Sequence, residues 1–76
     1  MNNTRRKALE EICNKIEDLK SDIESLRDEE QEYIDNMPES LQGSDKYSTA
    51  EEAVSNLDDA IGSLEDASGS VGEATA

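Results

Sequence analysis

Apolar residues stand at positions 9, 12, 16, 19, 23, 26, 33 and 37, in alternating steps of three and four that only Glu30 interrupts. That spacing is a heptad seam more than four repeats long. With Leu9 at a, the a positions are Leu9, Ile16, Ile23, Glu30 and Met37, and the d positions are Ile12, Leu19, Leu26 and Tyr33. The pattern predicts a helix over about residues 4–36. Asn3 or Thr4 can cap its start, and Pro38 disfavours helical geometry at Met37 and ends it.

A second seam follows. Cut into sevens, residues 50–76 read AEEAVSN LDDAIGS LEDASGS VGEATA. Tyr47, Ala50, Val54, Leu57, Ile61 and Leu64 again alternate steps of three and four, so the sevens are heptads. Column one is d and column five is a; the acid pairs occupy e and f; Ala53, Ala60 and Ala67 occupy g. Alanine beside the seam widens the apolar stripe to about three-sevenths of the helix and allows close approach of a neighbour. Ser48 to Glu51 and Thr49 to Glu52 both spell a capping box, but the spacing already includes Tyr47 and so favours a start at Ser44. Beyond residue 67 the a column passes from Val54 and Ile61 to Ser68 and Thr75, and Gly69 and Gly72 disfavour helix. The predicted helix therefore covers about 45–67, with 68–76 a frayed, flexible tail.

The joint is NMPESLQGS. Pro38 suits the first position of a turn, Glu39 its positive end, and Gly43 a left-handed stop. A single helical turn here reverses the chain, and helices joined so closely lie antiparallel. The expected fold is an all-α antiparallel hairpin, one domain over 1–67. Closing near residue 40, it sets Leu26 against Val54, Ile23 against Leu57, Leu19 against Ile61 and Ile16 against Leu64. Ile16, Leu19, Ile23, Leu26, Leu57, Ile61 and Leu64 are thus the expected core. Glu30 breaks the seam opposite Ala50, where it either snorkels outward or sets the register. Two helices leave one side of each stripe wet, which predicts self-association into a four-helix bundle with two-fold symmetry. The residues expected to mediate it are Leu9, Ile12, Cys13, Ile16, Ala53 and Ala60.

Composition narrows the function. The 76 residues hold one cysteine and no histidine, so no disulfide framework and no usual zinc pattern can be written. Cys13 at e reads as a small packing residue in a reducing compartment. No apolar run reaches the roughly 20 residues of a membrane span, and MNNTRRKALEE lacks the apolar core of a signal peptide, so the expected location is cytoplasmic. A net charge of -13 opposes direct binding to nucleic acid or to an anionic bilayer. Residues 1–27 hold six basic and six acidic side chains; residues 28–76 hold fourteen acids and only Lys46.

No nucleophile with a base, phosphate loop or metal set is present, so neither an enzyme nor a cofactor is expected. The candidate binding residues are the e and f acids Glu51, Glu52, Asp58, Asp59, Glu65 and Asp66, facing a basic partner protein. They recur about every 10.5 Å along a helix, far more sparsely than duplex phosphates on one strand, so imitation of DNA is a secondary reading. A further alternative is a structural or assembly coiled coil whose acids are only a solvated surface.

RRKALEEI at the start, EEQEYIDNMPESLQGSDKY at the joint and AEEAVSNLDDAIGSLEDA after it resemble a group of small acidic hairpin proteins of phages and prophages of Gram-positive bacteria. The resemblance spans residues 4–67, and its distinctive piece is YIDNMPESLQGS. It implies a mobile-element origin and a place in the host cytoplasm, and assigns no activity or site. By analogy, small acidic phage proteins bind host machinery, including defence nucleases.

Overall fold

In the computed structural model, which describes residues 1–76, the chain forms two long helices and a short joint. α1 spans Asn3–Asp35, a single 3-10 turn spans Glu39–Leu41, and α2 spans Asp45–Ala74. α1 starts one residue earlier than its pattern suggests. Asn2 is the cap, its Oδ1 accepting the Arg5 N–H at 2.8 Å. The second cap is the expected one: Ser44 Oγ accepts the Tyr47 N–H at 3.4 Å.

The joint reverses the chain by a single helical turn, as expected, but it stops by a different device. No residue has positive φ, so Gly43 supplies no left-handed cap. Pro38, at φ -58° and ψ 147°, takes the chain out of α1. The N–H groups of Leu41 and Gln42 then bond the carbonyls of Pro38 and Glu39, at 2.9 and 3.2 Å, and the Ser44 N–H bonds that of Leu41 at 3.0 Å. The joint closes on its own backbone.

The helices run antiparallel. From Arg6 through Cys13 and Lys20 to Arg27 on α1, the polar contacts across the hairpin fall on Thr75, Ser68, Glu65 and Asp58 of α2. α2 also continues to Ala74, past the expected end at residue 67. Each glycine in a helix interior costs about 1 kcal/mol relative to alanine, so docking must compensate. The start of α1 supplies it. Arg6 Nε donates to the Thr75 carbonyl at 3.0 Å, Ser68 Oγ donates to Glu17 at 3.1 Å, and Val71 is half-buried. Residues 68–74, expected to be a tail, are therefore helix.

The side of α1 that meets α2 also differs from the expected one. Its covered residues are Arg6, Leu9, Cys13, Ile16, Lys20, Ile23, Arg27, Glu30, Ile34 and Met37, with Glu24 beside them. All but Glu24, at b, are a and e positions, whereas α2 presents its a and d positions as expected. Ile16, Ile23, Leu57 and Leu64 are half-buried and Ile61 is buried. Leu19 and Leu26, expected in the core, are 54% and 59% exposed. The reason is electrostatic as well as apolar: turning e inward brings Lys20 and Arg27 beside acids of α2, while their aliphatic stems cover the seam.

Full burial is confined to Ile34, Met37, Ala50 and Ile61, three of which gather at the closed end of the hairpin. Principal extents of 60 × 14 × 13 Å make the molecule a rod. Its radius of gyration of 17.4 Å compares with about 11 Å for a compact domain of this length.

Candidate interaction faces

Three surfaces follow from this rotation of α1. The first is an ionic edge, where the e positions of both helices meet. Arg27 Nη1 lies 3.0 Å from Asp58 Oδ1, and Lys20 Nζ lies 3.2 Å from Glu17 and 3.7 Å from Glu65. The Arg27 Nε is 3.1 Å from Asp28 Oδ1, close enough for attraction, but it is buried and makes no hydrogen bond. Glu17 also accepts from Ser68 Oγ. The hydrogen bond from Lys20, then that from Ser68, holds the Glu17 carboxyl below its ordinary value; the same Glu17 contact raises Lys20, against a smaller opposing effect of burial.

The six acids predicted to form one binding face are thereby divided. Asp58 and Glu65 are paired within the chain. Glu51, also at e, lies at the level of Ile34 and lines an open groove with Ile34 and Val54, without an ion-pair partner. Glu52, Asp59 and Asp66 occupy f, the side of α2 turned away from α1, where all three are exposed.

The acidic back of α2 is the second surface. Because α2 runs from Asp45 to Ala74, its f column has five members: Asp45, Glu52, Asp59, Asp66 and Glu73. All five are exposed and none forms a salt bridge. Seven residues advance an α-helix by about 10.5 Å, so the row is about 42 Å long. Glu73 was missed from sequence because the helix was ended too early; Asp45 lay inside the expected helix, one heptad before Glu52, and the seven-residue count already placed both in that column.

The third surface is apolar. Ile12, Leu19, Leu26 and Tyr33, the d positions of α1, are 43%, 54%, 59% and 50% exposed. Beside them on α2 run Ala53, Ala60 and Ala67, of which the first two are half-buried. At the closed end an open groove of about 410 Å³ lies between the helices, lined by Glu30, Tyr33, Lys46, Ala50 and Ala53 among others. Glu30 and Ala50 line this groove together, and Glu30 is half-buried.

Of the residues expected to mediate self-association, Leu9, Cys13 and Ile16 face α2, and Ile12, Ala53 and Ala60 lie on the apolar edge. Cys13 is free and half-buried, its Sγ 3.8 Å from the Ser68 carbonyl that accepts its proton. No helix is long and apolar enough to cross a membrane. No known protein family, curated protein or solved structure matches the chain.

Proposed function

We propose that this protein is a non-enzymatic interaction module that binds a basic host protein through the acidic back of α2, as an accessory protein of a phage or related mobile element. The observation that carries the reading is the unpaired f row. Asp58 and Glu65 pair with Arg27 and Lys20 at e positions of α1, and Arg6, the remaining e cation, donates to the Thr75 carbonyl, while Asp45, Glu52, Asp59, Asp66 and Glu73 form no salt bridge. Such a row contributes little to the fold and repels itself along the helix. Its natural complement is a groove lined by Lys and Arg, which would steer association and impose salt dependence.

A nucleic-acid-binding or defence protein of the host offers such a groove, and its occupation would inhibit it. The resemblance of YIDNMPESLQGS to phage hairpins supports the mobile-element origin and, with it, action in the host cytoplasm. The spacing of about 10.5 Å favours a few separate contacts over close imitation of a phosphate backbone.

A structural or assembly role is the second reading, favoured by the 60 Å rod and its open apolar edge. One variant separates the two. Replacing the five f acids by their amides should leave helicity intact and abolish salt-sensitive capture of a basic protein from host lysate. If that variant keeps the captured protein and its effect on the host, the row is only a solvated surface and the assembly role stands.

A further inference from the structure

We propose that the apolar edge is the contact surface for a second copy of this chain, two hairpins closing into a four-helix bundle with α1 of each lying over α2 of the other. This goes beyond the binding of a basic protein and does not depend on it.

The first argument is the row itself. Ile12, Leu19, Leu26 and Tyr33 form one line of large apolar side chains along α1, between 43% and 59% exposed. With their step of seven residues the line is about 32 Å long, a coiled-coil seam with nothing against it. Contiguous apolar surface of this kind on a small protein marks an interaction site.

The second argument is area. The hairpin exposes 5516 Å² at 8.3 kDa. A folded monomer of that mass exposes about 4,600 Å², so the excess is about 900 Å². Each partner in an interface of standard size gives up about 800 Å². The surface left over is what one more copy would cover.

Charge selects the copy and the edge. Two chains of charge -13 repel unless they meet where charge is scarce. On α2 the g and c positions along this edge, from Thr49 to Ser70, carry only Ala, Thr, Asn and Ser. The acids of α2 lie at e and f on the other sides. Bordering the row on its outer flank are Lys15, Asp22 and Glu29 at g, a position that becomes the wet rim of an interface.

Size fixes the arrangement. Ala53, Ala60 and Ala67 repeat at the same interval as the large row and stand at the levels of Leu26, Leu19 and Ile12 in the antiparallel hairpin. A two-fold axis parallel to the helices keeps those levels, so it sets the large row of one copy over the alanines of the other. The partner's Leu26 then seats beside Ala53, at the groove next to Tyr33. A large side chain over an alanine allows close helix packing, whereas large against large holds the helices apart.

Sedimentation equilibrium of the full chain at tens of micromolar in 0.15 M salt tests the proposal. The expected mass is twice 8.3 kDa, and L19E/L26E, whose new carboxylates are already half in water in the hairpin, should remain helical with a dimer at least 100-fold weaker. A folded wild-type monomer, a trimer or tetramer, or a variant that dimerises as tightly as wild type overturns it. A second measurement does not require the charged variant to fold. In a Cys13→Ser background, chains carrying L19C and chains carrying A60C are mixed by refolding and oxidised. Mixed disulfides should dominate over both homodisulfides; equal or inverted yields refute the large-over-alanine arrangement.

Discussion

Replacing Ile61 by alanine removes the most buried branched side chain of α2, one that is only 9% exposed. Three carbons are lost, and at about 0.8 kcal/mol per buried methylene the transfer loss alone is about 2.4 kcal/mol. A cavity adds to this, but a two-helix rod 13–14 Å thick can collapse toward the gap, which keeps the sum near 3 kcal/mol, at the low end of the usual range. A core of this size supplies only about 3–5 kcal/mol in total, so the variant should be close to unfolded. In a melt followed by circular dichroism, at about 4–8 °C per kcal/mol, the midpoint should fall by roughly 12–24 °C.

Leu19→Ala is the control, because its side chain is 54% exposed in the hairpin. It should cost about 1 kcal/mol at 1 μM, and more at 100 μM, where a second copy would cover the site. The loss at Ile61 should change little between those concentrations. The core assignment of Ile61 fails if I61A melts within 4 °C of wild type, and that of the α1 seam fails if Leu19→Ala is as damaging as I61A at the lower concentration.

Other consequences can be checked separately. A double-mutant cycle on Arg27 and Asp58, whose side chains are 32% and 51% exposed, should return a coupling of about 0.5–1 kcal/mol that weakens in high salt. Glu17 has its folded value lowered by Lys20 and Ser68, so its contribution is present above the ordinary carboxylate value and is lost as pH falls through the lowered one. E17Q should therefore match wild type most closely at the acid limit and differ most at neutral pH in a stability-against-pH profile. A side chain built at Gly62, Gly69 or Gly72 meets nothing within 4 Å, so each Gly→Ala change should raise stability by about 0.4–1 kcal/mol in urea melts. A loss at Gly69 or Gly72 would show that residues 68–74 are not helix.

Much of this architecture depends on local chemistry and was therefore legible in the sequence. Two periods of three and four interrupted by Pro38 require two helices and a reversal, whatever surrounds them. Ser44 caps α2 because its hydroxyl lies within reach of the Tyr47 N–H. The seam of α2 and its acidic columns follow from the same seven-residue count, since every apolar residue from Tyr47 to Leu64 lies in one stripe.

Tertiary structure decided which side of α1 turns toward that stripe. Hydropathy alone places Ile12, Leu19, Leu26 and Tyr33 inward and Lys20 and Arg27 outward. Asp58 and Glu65 reverse this choice: with the cations beside them, the long stems of Lys20 and Arg27 cover the seam while their charged ends are neutralised. The change is a rotation of α1 by about 50°, half of one residue's turn. It brings Ile34 into the core and leaves the d row open. The length of α2 was decided in the same way. Gly69 and Gly72 weaken the local preference for helix, and Arg6, Cys13 and Glu17, more than fifty positions away in the chain, hold Ser68 and Thr75 in register. Period and capping are carried by neighbours along the chain, whereas rotation and docking depend on pairs that meet only after the hairpin has closed.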